Sequence, residues 1–430
     1  MSKKPSTIWL CESCGNEFST WAGKCPACGE WNTLKELQVQ STKSRGGSKA
    51  EEKIESKMMS DVEVTNNQRT KTGIGEFDRV MGGGIVPGSI TLLGGEPGIG
   101  KSTLILDVAN RMKRAFYLSA EESMSQITMR AKRMGINGEN ITLASGPEIS
   151  ALDREIEKID PDLIIIDSIQ TVFHNSYDAT PGSIVQVREC GIYLQQLAKK
   201  TGRSIIIIGH VTKEGNLAGP RILEHLVDTV LYLEGEKFSE ARILRDIKNR
   251  FGATNEVGIF AMQEKGLVEV KNPSELFLSE KNDSPGSVVT VALEGTRPIL
   301  VEVQALVAPT HFGYPKRTAA GFNLNRLNLL AAVISKKTHF DLSNHDIYLN
   351  IVGGMRVNEP AVDLAVCAAI ISSYKNKSFG ANSVFVGEVG LLGEVRRVIR
   401  QSDREKETKN LGYKIVDGVR DIASLVKFLN

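Results

Sequence analysis

The sequence predicts an α/β protein: a largely parallel sheet covered by helices, with a small cysteine-rich module before it and a second α/β region after it. Three observations carry that reading. Short runs dense in Ile, Leu and Val (ITLLGG, AFYLSA, DLIIIDS, SIIIIGHV, TVLYLEG) alternate with helix-spaced segments such as STLILDVANRMKR and GSIVQVRECGIYLQQLAKK. Such continuous apolar runs suit strands buried on both faces, and their alternation with helices is the α/β pattern. The loop GEPGIGKS (95–102) follows the first run directly, and four cysteines crowd between Cys11 and Cys28.

Composition sets the frame. The 430 residues leave room for about three domains, and 41% hydrophobic with 24% charged residues is ordinary for a globular chain. A net charge of +2 neither favours nor excludes nucleic acid, so a local basic feature must carry that case. No apolar run approaches the roughly 18 residues of a membrane span, and MSKKPSTIWL lacks the apolar core of a signal peptide. A cytoplasmic protein without membrane contact is expected, in a compartment that keeps thiols reduced.

In chain order, residues 1–34 hold CESC and CPAC. Cys11, Cys14, Cys25 and Cys28 form C-x₂-C-x₁₀-C-x₂-C, and four thiolates in tetrahedral array suit Zn²⁺ in a closed structural site. Trp9, Trp21 and Trp31 surround it and are expected to pack inward, base stacking on DNA being the alternative. Residues 35–67 are polar, charge-mixed and free of aromatics, which reads as a flexible linker. The α/β pattern fills 68–273. It ends in the strands ARILRDIK and EVGIFAM, expected to form a hairpin with KNRFG (248–252) at its tip. Residues 284–430 carry further strands (SVVTVALEG, ILVEVQALV, IYLNIVGG, SVFVGEVG). Cys190 and Cys367 lie in apolar patterns and read as buried hydrophobes.

The chemistry centres on GEPGIGKS, which matches G-x-x-x-x-G-K-[ST] between a strand and a helix. Gly95, Glu96, Pro97, Gly98, Ile99, Gly100, Lys101, Ser102 and Thr103 are the expected cradle for the phosphates of ATP, with Lys101 as the point charge and Ser102 as a Mg²⁺ ligand. Asp167 ends the strand LIIID, where a carboxylate completes the Mg²⁺ shell. Glu121, at the end of YLSAEES, is the preferred residue to activate water, with Glu122 competing. His210 ends SIIIIGH and either senses the γ-phosphate or is structural.

TGIGEFDRVMGGGIVPGSITLLGGEPGIGKSTL, YLSAEES, LIIIDS and IIIIGHVTKEG resemble the RecA-like ATPases. With KNRFG and the four-cysteine N-terminus, the chain resembles the bacterial RadA (Sms) family of DNA repair and recombination ATPases over nearly its full length. The resemblance implies a DNA-dependent ATPase that moves along single-stranded DNA as a ring, expected to be hexameric, and drives branch migration. Its implied partners are single-stranded and branched DNA, a recombinase and other repair proteins. It also implies that Lys248 and Arg250 reach a neighbouring subunit's ATP, with DNA contact as the alternative. HNSYDATPGS (174–183) and TKEGNLAGPR (212–221), with Lys213 and Arg221, are the expected DNA loops.

GGMRVNEPAVDLAVCAAI and VFVGEVGLLGEVRRVIR resemble the proteolytic domain of Lon, which works through a serine–lysine pair. Glu359-Pro360-Ala361-Val362-Asp363 stands where the serine would lie, and Arg404 is nearest to the lysine, ahead of Lys406. A non-proteolytic domain follows. Arg396, Arg397 and Arg400 either contact phosphate or form a solvated face. The rival readings are an ATP-dependent switch of the KaiC type and an ATP-dependent protease.

Overall fold

The computed structural model describes residues 7–11, 17–38, 58–61, 69–210, 220–235, 240–278, 281, 283–311 and 313–429. Most of the expected linker therefore lies outside the described residues. The N-terminal module is a three-stranded antiparallel sheet of β1 (Thr7–Cys11), β2 (Glu17–Phe18) and β3 (Leu34–Gln38), in the order β2-β1-β3. β3 corrects the expected linker boundary. It runs to Gln38, because Thr7 to Cys11 pair with Gln38 to Leu34 and hold the polar LKELQ extended.

The chain then alternates: α1 (Gly75–Val80), β4 (Ile90–Gly95), α2 (Lys101–Arg111), β5 (Ala115–Ser119), α3 (Met124–Met134), β6 (Ile141–Ser145), α4 (Leu152–Ile159), β7 (Leu163–Asp167), α5 (Ile184–Thr201), β8 (Ser204–Ile208), α6 (Pro220–Leu226) and β9 (Thr229–Glu234). These strands lie in the order β9-β4-β8-β7-β5-β6, every neighbour parallel. The apolar runs have the burial they imply. All residues of β7 and β8 are buried, and each fully buried Ile contributes about 1.5–3 kcal/mol. β6 was not legible as a strand; it is an edge strand and only half-buried, so its sequence lacks the dense apolar run.

Helix ends follow local chemistry. Ser123 and Gln126 make a capping box on α3, Ser183 caps α5, and Gly135 and Gly202 end these helices in the left-handed region. α2 differs. Its N-cap is Gly100 and no side chain caps it, so its first-turn N–H groups are left to another acceptor.

Beyond β9, β10 (Ala241–Asn249), β11 (Val257–Gln263) and β12 (Gly266–Glu269) continue the same sheet. The chain divides into two compact units, 1–234 with 244–254 and 262–267, and 235–243 with 255–261 and 268–430. That division differs from the boundary expected between 273 and 284, since parts of β10 and β11 belong to the second unit.

The second unit adds α7 (Pro273–Leu278), β13 (Ser287–Glu294), β14 (Arg297–Pro309), β15 (Arg317–Ala320), α8 (Leu324–Thr338), β16 (His345–Ile351), α9 (Asp363–Lys375), β17 (Ser383–Val384), β18 (Glu388–Val389), β19 (Val395–Arg396), α10 (Gln401–Asn410), β20 (Lys414–Ile415) and α11 (Ile422–Leu425). Its main sheet runs β15-β16-β14-β13-β17-β20. SVFVGEVG, expected as one strand, is two short ones in different sheets, β17 and β18. α9 is apolar all round and buried from Asp363 to Ser372, as such a pattern requires. No described helix is long and apolar enough to cross a membrane.

Candidate functional site

The sheet order assembles the site. β8 lies between β4 and β7, and β5 flanks β7 on the other side. The carboxyl ends of these four strands therefore line up the phosphate loop, His210, Asp167 and Glu121, at the edge where open parallel sheets bind ligands.

At the end of β4 the backbone curls. Gly95 has φ 150°, and a Cβ there would meet the Leu233 carbonyl oxygen at 2.5 Å. Gly98 has φ 77°, in the left-handed region that favours glycine, with nothing within 4 Å of where a Cβ would stand. Pro97 and Gly98 are exposed, while Ile99 is buried and anchors the loop. Lys101 folds back over it, Nζ donating to the carbonyls of Gly95 (2.8 Å) and Glu96 (2.9 Å). Burial pushes this amine down to about 8, against the pull of Asp167 and Glu121. A buried cation beside a Gly-rich curl and an uncapped helix start suits a triphosphate.

Asp167 is buried. Tyr117 donates its hydroxyl to Asp167 Oδ2 at 2.5 Å, and the Ser102 side chain is bonded to the same carboxyl. Burial raises the carboxyl above its ordinary range, while those two donors oppose the rise. A hydroxyl and a carboxylate side by side are the hard oxygen donors Mg²⁺ prefers.

Glu121 and Glu122 go separate ways. Glu121 Oε1 accepts from Ser168 Oγ, and His210 Nε2 lies 2.9 Å and 3.2 Å from its two oxygens. The hydrogen bond with His210, foremost, holds this carboxyl below its usual range. Glu122 instead pairs with Arg130 on α3, its backbone N–H donating to Ser119 Oγ at 3.0 Å. Neither Ser168, Tyr117 nor Arg130 stood out in the sequence. Their importance is purely one of position.

KNRFG has other partners. Lys248 Nζ donates to the carbonyls of Glu224 (2.5 Å) and Val227 (2.9 Å), capping the end of α6. Arg250 pairs with Asp228 at 3.3 Å, and Asp228 Oδ2 accepts the Ile90 N–H at 3.1 Å. Both cations thus face the same α6–β9 corner. Phe251 is exposed, and its carbonyl accepts from Arg69.

Of the expected DNA loops, 212–221 lies outside the described residues apart from the start of α6, and nothing is described of the Lys213 and Arg221 side chains. The loop 174–183 is tightly built. The buried Gln186 amide accepts from His174 N–H and donates to the carbonyls of His174, Tyr177 and Ala179. It contains no Lys or Arg.

In the N-terminal module, Cys11, Cys25 and Cys28 bring their sulfurs within 4.8 Å of one another. Cys14 lies outside the described residues. Thr33 Oγ1 is 3.1 Å from Cys11 Sγ, and the turn Cys25–Gly29 is closed by Gly29 N–H to the Cys25 carbonyl at 2.9 Å. Converging thiols fit a soft tetrahedral metal. The inward-packing expectation holds for Trp9 and fails for Trp21 and Trp31, which are 58% and 67% exposed. So small a core has no room for three indoles.

In the second unit, Arg404 is fully buried and grips Glu359 with both arms (Nη1–Oε1 3.1 Å, Nη2–Oε2 2.6 Å). It also donates to the carbonyls of Val291 and Ile399. A buried ion pair thus joins two residues from the segments that the sequence singled out for lacking a serine and a lysine. Arg396 is engaged with Glu394, and Arg400 with the Thr296 carbonyl. Cys190 and Cys367 are buried, and burial pushes the Cys190 thiol up to about 12.

A family model described as an AAA domain matches residues 58–216, and one described as a rubredoxin metal binding domain matches residues 9–36. The chain is 47% identical over 420 residues to DNA repair protein RadA of Bacillus subtilis (strain 168), covering 96% of this chain and 92% of that one. DNA repair protein RadA of Streptococcus pyogenes serotype M1 is 48% identical over 418 residues, with the same coverage. A RadB recombinase structure aligns with 47% of this chain and 99% of its own, at 22% identity and a TM-score of 0.38. That score is too low to argue from; the strand order carries the fold.

Proposed function

We propose that this chain, which belongs to the RadA family of DNA repair proteins, is a DNA-stimulated ATPase that moves along single-stranded DNA as a hexameric ring and drives branch migration in the cytoplasm. The observation that supports it best is the convergence of Lys101, Ser102, Asp167, Glu121 and His210 on one edge of the sheet.

In this reading the curl from Gly95 to Thr103 holds the triphosphate of ATP. Lys101 gives up its carbonyl partners for the outer phosphates, and Glu121 receives a proton from the attacking water. Ser102 and Asp167 would hold Mg²⁺, which would supply charge neutralisation for the phosphates. His210, already bonded to Glu121, links the state of that carboxylate to the segment that follows it. Lys248 and Arg250 serve the ATP of the next subunit, exchanging the carbonyls of α6 and the Asp228 carboxylate for phosphate oxygens.

Steady-state ATP hydrolysis with and without single-stranded DNA, on the wild type and Lys248→Ala, tests this. DNA is expected to stimulate the wild type, and the variant to lose that response while still binding nucleotide. Turnover indifferent to DNA in both proteins removes the motor and leaves the KaiC-like switch. Cys11, Cys14, Cys25 and Cys28 are proposed as Zn²⁺ ligands, because a module this small depends on metal to fold. Chelation is expected to release about one zinc per chain and abolish the near-ultraviolet dichroism of the tryptophans, all of which lie in the module. A metal content of zero in the purified protein sinks this.

A further inference from the structure

We infer that Tyr117 is a positioning residue for Asp167, aiming that carboxylate at the divalent cation that accompanies ATP; the inference rests on the reading of the phosphate site given above. The register of β5 against β7 sets Ser119 beside Asp167 and Tyr117 beside Ile165. Tyr117 thus starts two residues back from the strand end, and its hydroxyl still reaches Asp167 Oδ2 at 2.5 Å. The ring spans that distance along the sheet.

Both groups are sealed from solvent, Tyr117 at 0% and Asp167 at 4% exposure. A buried phenol needs a hydrogen-bond partner, and here it meets that need on the carboxylate that closes the site. The hydroxyl has one proton to give, so its donation fixes one side of the carboxylate. Ser102, next to Lys101 on α2, bonds the same carboxyl from the phosphate-loop side. Asp167 is therefore clamped between a core tyrosine and the first turn of α2. Hydrogen bonds of this kind orient carboxylates toward metals. If Tyr117 merely filled volume, phenylalanine would serve equally well at this position.

The test uses the full chain carrying Tyr117→Phe, with Mn²⁺ as the probe, followed by electron paramagnetic resonance in the presence of a slowly hydrolysed ATP analogue. Fluorescent nucleotide binding in EDTA and thermal unfolding are measured alongside. The expected result is a Mn²⁺ half-saturation about tenfold higher or more, with metal-free nucleotide binding unchanged. A purely structural role would move the melting temperature and leave the Mn²⁺ affinity within about twofold of wild type, and that outcome overturns the inference. Asp167→Asn separates the two levels. If it binds Mn²⁺ as the wild type does, the reading of Asp167 as a cation ligand falls, and the role of Tyr117 with it. If Asp167→Asn loses the cation and Tyr117→Phe does not, only the inference fails.

Discussion

Glu121→Gln is expected to lower kcat for ATP by about 10²–10⁴-fold, the range a positioned general base supplies, while nucleotide affinity stays within a few-fold of wild type. The carboxylate sits between Ser168 Oγ and His210 Nε2, and its proton affinity is held low chiefly by the bond with His210. It is therefore ionised across the neutral range and able to accept a proton. The amide keeps the shape and loses that capacity. Glu122→Gln is the informative companion. It breaks the pair with Arg130, a partly buried contact on α3, so it is expected to cost stability and only a few-fold in turnover. Hydrolysis rates and nucleotide binding on the two variants check both statements. A larger loss for Glu122→Gln would exchange their roles.

Arg404→Ala or Glu359→Ala is expected to destabilise the second unit by about 3 kcal/mol, the lower end of the cost of stranding one partner of a buried ion pair. The lower end applies because the Glu359 side chain retains 20% exposure. Each partner also has backbone bonds: Glu359 accepts the Leu293 N–H, and Arg404 donates to the Val291 and Ile399 carbonyls. Replacing both together, as Glu359→Leu with Arg404→Met, is expected to cost much less than either single change, because no uncompensated charge is left behind. Denaturant unfolding of the three variants reads this directly. Equal losses for single and double variants would show that the pair contributes packing rather than charge. The same geometry predicts that Glu359→Ser gains no peptidase activity. The Arg404 guanidinium offers only N–H donors and has no acceptor for a serine proton.

The phosphate loop, the cysteine module and the buried strands were legible because their information is local. A Gly-rich curl, a pair of C-x-x-C turns and a continuous apolar run each express their chemistry within a few residues. β6 and the β17–β18 break were not, since half-buried edges and two-residue strands leave too little pattern to read.

By itself, the sequence determined that a G-x-x-x-x-G-K-[ST] loop carrying Lys101 joins a strand to a helix, that Cys11, Cys25 and Cys28 belong to one cluster, and that no serine stands between Glu359 and Asp363. Only the tertiary structure decided that β8 separates β4 from β7, that Glu121 meets His210 and Ser168 while Glu122 turns to Arg130, and that Lys248 caps α6. It also decided that Trp21 and Trp31 face solvent and that Arg404 closes on Glu359. The reason is range. Turn chemistry and periodicity act over a few neighbouring residues, but a side chain's partner depends on which distant strand or helix packs beside it, and that order is settled by burial over the whole sheet.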